Sequence, residues 1–198
     1  MRTTIKRKFA LSLQPRASSE VKMRWQVIVW ISLITLVGCE SNIISSDWHR
    51  VEPPIAAPDF TAAQLDGEPV TLSTLHGRVV IMDFWATWCG PCRFSLPSLD
   101  VIYKQYRDRG VSVLLVDQGE TAEQVRRWIK HRFTAPILLD QDGRVGQLYP
   151  GDGIPRLFIV DQTGHIIYAH EGYGGGLEHN LKLILEKLLT EREPVTHA

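Results

Sequence analysis

Two cysteines, Cys89 and Cys92, flank a Gly-Pro dipeptide in the segment FWATWCGPC, residues 84–92. The chain has 198 residues and one further cysteine, Cys39. Cysteines at this spacing can ligate a metal, form a small structural disulfide, or exchange electrons as a dithiol–disulfide pair. Each use makes a different demand on the rest of the sequence.

Neither a metal site nor a structural disulfide fits the sequence well. Zinc takes four ligands, commonly two cysteine pairs or one pair with two histidines. The chain has no second CxxC, and none of its seven histidines forms a zinc-type spacing near a cysteine. A disulfide that closes so short a loop restrains little of the unfolded chain. We therefore expect no metal and no cofactor.

The sequence around the two cysteines favours redox chemistry. A run of β-branched and aromatic residues predicts a buried strand over 78–85, which leads into a helix predicted from Cys92 to Arg109. Unpaired N–H groups and the helix dipole stabilise a thiolate at a helix N-terminus. Pro91 favours a helix start there. We assign Cys89 as the exposed attacking thiolate and Cys92 as the shielded resolving thiol.

Further apolar runs predict four more strands. They lie at 111–117, 136–140, 156–161 and 165–170. A QTG turn joins the last two as a hairpin. Helical periodicity fills the other intervals, with a capping box at Thr121 and Gln124 and a last amphipathic helix over 177–189. This alternation predicts an α/β fold with a central mixed β-sheet flanked by helices.

The first 38 residues predict a signal peptide. They carry seven basic side chains and one acid, and the apolar run over 27–37 is 11 residues long. That is about half of the ~20 residues that a membrane-spanning helix requires. Because Met23 and Arg24 directly precede the apolar run, we predict that translation begins at Met23.

The rest of the chain is acidic. Residues 39–198 hold 15 basic and 21 acidic side chains, a net charge of −6. Nucleic-acid affinity comes mainly from Lys and Arg on phosphates. This charge balance therefore excludes nucleic acid as an expected partner.

The segment LVGC, residues 36–39, resembles the lipobox of bacterial lipoproteins. The resemblance implies that Cys39 is lipidated and becomes the first residue of the mature chain, anchored in the bacterial cell envelope and facing the periplasm or outer surface. The alternative is a free cysteine after an ordinary signal peptide. Ser, Pro and Ala without apolar periodicity predict a flexible tether over 39–57. The folded domain is then predicted over 58–198.

The segment DFWATWCGPC resembles thioredoxin, and the wider pattern is similar to the extracytoplasmic thioredoxin-like reductases of the TlpA/ResA group. The matching segments are APDF (57–60), DGEPVTLSTLHGRVVIMDFW (66–85), PCRFSLPSL (91–99), GIP (153–155) and FIVDQTGHI (158–166). The resemblance implies a thioredoxin-like fold over residues 56–190 and reduction of disulfides in exported proteins. It also implies a membrane thiol–electron donor, and we expect a monomer.

The resemblance assigns roles to four further residues. Asp83 matches a buried acid that moves the proton of the resolving cysteine; the alternative is a polar strand residue satisfied by a neighbour. Ile154 and Pro155 match a cis-proline loop that faces the disulfide and pairs with the substrate, whereas sequence alone would give an ordinary trans turn. Trp88 flanks Cys89 and is expected to cover its surroundings.

The sequence also departs from that group. Ser95 stands where Glu is common, and Asp83 where Asn is common. Arg156 follows the cis-proline, where Thr is usual. We expect its side chain within several Å of Cys89, where a cation favours the thiolate. The alternative is an ordinary surface arginine.

A reductase is the function that the sequence favours. The Gly90-Pro91 dipeptide favours the reducing end of the scale, where thioredoxin lies at about −270 mV and strong oxidants at about −120 mV. The same motif also suits an oxidase or an isomerase. A redox-sensing binding module or chaperone is a second hypothesis. A thiol peroxidase is a third, but it requires Pro-x-x-x-Thr-x-x-Cys, and Thr87 is only two residues before Cys89.

Overall fold

The computed structural model describes residues 48–191. The predicted signal peptide, the start at Met23, the lipidation of Cys39 and the first part of the tether lie outside the described residues, so they stay predictions. No helix within residues 48–191 is long and apolar enough to cross a membrane.

The described residues form eight strands and four α-helices. The strands are β1 (Trp48–Ala56), β2 (Thr61–Gln64), β3 (Val70–Thr71), β4 (Val79–Trp85), β5 (Val111–Gln118), β6 (Ile137–Asp140), β7 (Arg156–Val160) and β8 (His165–Glu171). The helices are α1 (Cys92–Tyr106), α2 (Ala122–Ile129), α3 (Arg144–Leu148) and α4 (Leu177–Thr190). The predicted α/β class with a central mixed sheet is confirmed.

The sheet has the strand order β1-β8-β7-β4-β5-β6-β2-β3. β4, β5 and β6 run parallel, whereas β7 pairs antiparallel with β4. The carboxyl ends of the three parallel strands therefore meet the first residue of β7 at one edge of the sheet. Arg156, which begins β7, is the register partner of Phe84 near the end of β4.

Side chains of β4 alternate between two apolar cores, one on each face of the sheet. All seven residues of the strand are buried, as expected of a central strand. Ile81 and Trp85 join the core that contains residues of α1 and α4. Met82 and Phe84 join the core on the other face, which includes Val145 of α3. Asp83 has the parity of the first set, so it faces α1.

The predicted N-terminal boundary of the domain is wrong. Residues 48–56, assigned to the tether from sequence, form β1, which pairs antiparallel with β8. Trp48 is buried, and its ring stacks on that of His170 with centroids 4.8 Å apart. β1 lies at the sheet edge, and most of its other residues are exposed, so it has little apolar alternation for sequence analysis to detect. Residues 48–56 therefore belong to the sheet and not to the tether.

The helix end and the capping box predicted within the domain agree with the structure. The helix from Cys92 continues as a 3-10 turn over Arg107–Arg109 and stops at Gly110, whose φ of 91° is left-handed. Thr121 and Gln124 make both hydrogen bonds of the predicted capping box. Sequence analysis did not predict the short elements β2, β3 and α3.

Candidate active site

Cys89 and Cys92 form a disulfide at the N-terminal end of α1. The amide N–H of Cys92 donates to Sγ of Cys89 over 3.2 Å. This N–H group and the positive end of the helix dipole stabilise negative charge on Cys89 once the disulfide is reduced. Both cysteines are buried, but Cys89 keeps 4% exposure and Cys92 none. An incoming group therefore reaches Cys89 first.

The turn between β4 and α1 is closed by its own backbone. The amide of Cys89 donates to the carbonyl of Ala86 over 3.1 Å, and that of Arg93 donates to the carbonyl of Gly90 over 3.2 Å. Pro91 is the N-cap residue and already has helical angles, φ −59° and ψ −36°. The strand-to-helix junction therefore positions the pair with little contribution from distant parts of the chain.

The Ile154–Pro155 loop lies against the disulfide. Its peptide bond is cis, and the carbonyl oxygen of Ile154 lies 3.7 Å from Sγ of Cys89. The amide of Gly172, just after β8, donates to the carbonyl of Pro155 over 2.8 Å. Because β7 begins at the next residue and pairs with β4, the sheet itself holds this loop beside the cysteines.

Asp83 is buried beneath α1, with 1% of its surface exposed. The Ser95 hydroxyl lies 3.5 Å from Oδ2 of Asp83 and 3.0 Å from the carbonyl oxygen of Cys92. Burial raises the pKa of Asp83 well above its usual range, and the Ser95 hydroxyl opposes part of that rise. A carboxyl with a raised pKa is suited to exchanging protons with a thiol. The Ser95 hydroxyl thus lies between the acid and the backbone of the resolving cysteine.

The expectation that Arg156 lies beside Cys89 is wrong. Its guanidinium packs over the ring of Phe84, 4.7 Å from the ring centroid. Phe84 belongs to the core on the face of the sheet opposite the disulfide. Residues that are register partners in neighbouring strands point to the same face, so Arg156 follows Phe84 away from Cys89.

Arg156 is not an ordinary surface arginine either. It is 6% exposed, and its guanidinium donates to the carbonyl oxygens of Gly146 (2.8 Å), Gly153 (3.4 Å) and Gly151. Burial lowers its pKa, and the acidic groups of Asp152 and other neighbours partly offset that effect. The side chain therefore ties α3 and the loop before Pro155 to the start of β7.

The side chain of Trp88 is 68% exposed, so most of its ring faces solvent. Its role of covering the surroundings of Cys89 stays a prediction. A second exposed aromatic feature was missed from sequence. The rings of Phe94 and Tyr173, 63% and 44% exposed, lie with centroids 5.6 Å apart. They join the first turn of α1 to the segment that is bonded to Pro155.

Sequence analysis also missed a polar contact under the active-site turn. Glu120, 6% exposed, accepts hydrogen bonds from the backbone N–H and the hydroxyl of Thr87, two residues before Cys89. Asp117, at the end of β5, accepts from the backbone N–H of Glu120. The strand topology could have predicted this contact. Because β4 and β5 are parallel neighbouring strands, the residues that follow them lie at the same edge of the sheet. Among residues 48–191, no cluster of His, Cys, Asp and Glu is arranged to hold a metal ion.

The sequence model of the Redoxin family matches residues 54–183. The chain belongs to this family. ResA, a thiol–disulfide oxidoreductase of Bacillus cereus, is 30% identical over 154 residues, which span 76% of this chain and 88% of ResA. ResA of Geobacillus kaustophilus is 35% identical over 140 residues, spanning 68% and 80%.

A solved structure agrees with these relatives. The exposed lipoprotein thioredoxin Etrx1 of Streptococcus pneumoniae superposes with a TM-score of 0.59 at 30% identity. The match covers 66% of this chain and 100% of Etrx1. The fold is therefore thioredoxin-like, and the protein is a thiol–disulfide oxidoreductase of the ResA type that acts on disulfide-containing substrates.

Replacing Arg156 with Met should destabilise the fold without changing the reduction potential of the Cys89–Cys92 pair. The variant keeps apolar contact with Phe84 but removes the guanidinium donor from the carbonyls of Gly146 and Gly151, a loss of about 1.5–3 kcal/mol. The Gly146 carbonyl keeps a second donor, the backbone N–H of Tyr149. Urea denaturation measures the loss, and equilibration with glutathione measures the reduction potential. Arg144→Met removes an exposed arginine and should change stability by less than about 0.5 kcal/mol. A shifted potential in Arg156→Met would contradict the placement of Arg156 away from Cys89.

Proposed function

We propose that this oxidoreductase reduces disulfide bonds of exported proteins while anchored by lipid to the outer side of a bacterial membrane. The observation that carries the proposal is the Cys89–Cys92 disulfide at the start of α1, with Cys89 facing the carbonyl of Ile154. The Gly90-Pro91 dipeptide supports the reducing direction. A membrane thiol–electron donor returns the pair to the dithiol form.

The chemistry proceeds through one mixed disulfide. The Cys89 thiolate attacks one sulfur of the substrate disulfide, and the other substrate sulfur leaves as a thiolate. Cys92 then gives up its proton and attacks Sγ of Cys89, which releases the first substrate sulfur as a second thiolate. Two electrons pass from the protein to the substrate, and the protein pair becomes a disulfide. We assign Asp83 as the group that takes the proton of Cys92.

The surface around Cys89 supports an extended protein segment as substrate. The carbonyl of Ile154 offers a backbone acceptor beside the reacting sulfur, as in recognition by strand addition. Trp88, Phe94 and Tyr173 surround the site with exposed aromatic surface, which is typical of protein contacts. A disulfide within a partly unfolded exported protein presents the apolar side chains that such a surface binds.

The membrane anchor is supported by sequence and by one similar structure. Residues 36–39 match the lipobox pattern, and the similar pneumococcal protein is itself named as an exposed lipoprotein. Lipoprotein processing places several acyl chains on one residue, and stable anchoring needs at least two such signals. Lipidation at Cys39 therefore satisfies the requirement for a lasting anchor.

Serine substitutions should separate the two thiol roles. In a soluble form that begins at residue 40, and so keeps β1, Cys89→Ser should abolish catalysed reduction of insulin disulfides by dithiothreitol, because the remaining thiol, Cys92, is fully buried. Cys92→Ser should accumulate a mixed disulfide at Cys89, because the resolving step is lost. Turbidity measures insulin reduction, and non-reducing electrophoresis with mass spectrometry detects the adduct.

The opposite pattern, with an adduct only in Cys89→Ser, would reverse the assignment. The direction of the reaction has its own control. A reduction potential of about −270 mV for the cysteine pair agrees with a reductase. A value of about −120 mV would make the protein an oxidant and contradict the proposed direction.

Asp83→Asn should slow release of substrate from the mixed disulfide near neutral pH, with a smaller loss at alkaline pH. The variant cannot accept the proton of Cys92, but that thiol ionises unaided once the pH exceeds its own pKa. Stopped-flow kinetics across pH measure the effect, and Asp142→Asn, at an exposed carboxyl, should follow wild type. A loss that is uniform across pH would indicate a packing role instead.

The same variant checks the burial of Asp83 through stability. The folded-state pKa is raised, so as pH rises above the unfolded value of about 3.9 the unfolded chain releases a proton that the folded protein retains, and the stability of the wild type falls. Asp83→Asn should therefore gain stability over wild type as the pH rises from acid towards neutral.

Labelled palmitate should enter the full-length protein and be absent from Cys39→Ser. The reason is that the thiol of Cys39 is the proposed acceptor, and no other thiol lies near the predicted cleavage site. Mass spectrometry of the mature protein should find residue 39 as its first residue. A mature protein that retains residues 23–38 would rule out lipoprotein processing.

A further inference from the structure

Glu120 is a buried carboxyl that holds the segment leading to Cys89. Its Oε2 accepts from the backbone N–H of Thr87, and its Oε1 accepts from the Thr87 hydroxyl, both over 2.5 Å. Acceptance by both oxygens suits the ionised carboxylate, which has no proton of its own to place. Since Thr87 is two residues before Cys89, this contact fixes the start of the active-site turn.

Asp117 is a second buried carboxyl in the same place. Its Oδ1 accepts from the backbone N–H of Glu120 over 3.3 Å, while its Oδ2 is buried without a hydrogen-bond partner among the described residues. A buried, ionised carboxylate with one oxygen that has no hydrogen-bond partner carries a large desolvation penalty. Burial, together with the Glu120 carboxyl, raises the pKa of Asp117 to about 8. Asp117 therefore favours its neutral form at neutral pH.

Charged groups around these two carboxyls come from the neighbouring elements. Asp140 of β6 adds negative charge that further raises the pKa of Asp117. Arg93 of α1 is exposed and donates to the carbonyl of Thr87 over 3.1 Å, not to either carboxyl. Asp140 is itself buried, and so is Asp83 of β4. The salt bridges of residues 48–191 pair neither Asp117 nor Glu120 with a cation.

We propose that Asp117, in its neutral form, and Glu120 act as a positioning pair for the Thr87–Cys89 segment. The pair holds Thr87 while Asp117 is protonated and releases it when that proton is lost to solvent. The proposal rests on the proposed function only in that Cys89 is the reacting sulfur.

The backbone decides which carboxyl moves. Asp117 lies in β5, which is paired with β4 on one side and with β6 on the other, so its position is fixed. Glu120 follows Gly119, whose φ of 81° marks a turn outside the strand. When both groups are ionised, their repulsion acts at close range in a poorly solvated place. Rotation of Glu120 towards solvent relieves that repulsion and frees the N–H and hydroxyl of Thr87.

NMR tests the pair without using reductase activity. In the oxidised wild-type protein, the amide proton of Thr87 should lose its downfield, hydrogen-bonded shift as pH rises, with a midpoint at about 8. The carboxyl carbon of Asp117 should titrate with the same midpoint. Asp117→Asn, which mimics the neutral acid, should keep the hydrogen-bonded Thr87 shift throughout. Glu120→Gln removes the like charge, so the Asp117 midpoint should fall below about 8.

Kinetic measurements test whether the loss of the Thr87 contact changes the reactivity of Cys89. Reduced wild-type protein and Asp117→Asn should attack a small aromatic disulfide at matching rates at neutral pH and diverge several-fold at alkaline pH. The comparison is made in the Asp83→Asn background as well, because that removes the buried acid beneath α1. The divergence should persist there. A merely structural Asp117 would change the rate by the same factor at every pH.

The matched control is Glu123→Gln, at an exposed carboxyl three residues beyond Glu120 that pairs with Arg127 instead. It should follow wild type in both measurements. A wild-type Thr87 amide that does not titrate, or a titration that survives in Asp117→Asn, overturns the proposal. The carboxyl titration of wild-type protein needs no variant, so it decides the matter even if Asp117→Asn folds poorly. A protein that titrates as described but reduces no disulfide would refute the reductase function and leave the positioning pair intact.

Discussion

The placement of β4 between a parallel and an antiparallel neighbour determines where each group of the site lies. Parallel pairing with β5 brings Asp117 and Glu120 to the edge where β4 turns into α1. Antiparallel pairing with β7 brings Pro155 to the same edge from the opposite direction. The disulfide, the proline loop and the acid pair come from three separate parts of the chain, and the register of one strand assembles them.

Charge is the second constraint at this edge. Oxidised cysteines are neutral, and reduction adds a thiolate to a region that already contains Asp83, Asp117 and Glu120. Burial raises the pKa values of Asp83 and Asp117, which favours their neutral forms and limits the total negative charge. Backbone N–H groups at the start of α1 supply positive potential at Cys89. The site therefore stabilises a thiolate with dipoles, and the buried Arg156 packs on the other face of the sheet.

The predicted and observed structures agree best where several local signals in the sequence coincide. The buried strand, the Gly-Pro dipeptide and the helix that follows all lie within one continuous stretch, so the position of the pair could be predicted. Arg156 was misplaced because a motif gives the neighbours of a residue along the chain but not the face to which it points. β1 was missed because an edge strand needs few buried residues. The Thr87–Glu120 contact joins residues 33 apart, and only the strand pairing brings them together.

The early start of β1 has a consequence for how far the protein extends from a membrane. If the mature chain begins at a lipidated Cys39, only residues 39–47 separate the anchor from the sheet, instead of the whole of 39–57. Nine residues reach at most about 30 Å when fully extended, about half the reach of the longer segment. The catalytic domain would then remain within roughly its own diameter of the lipid surface. Substrates would then meet the cysteines close to that surface.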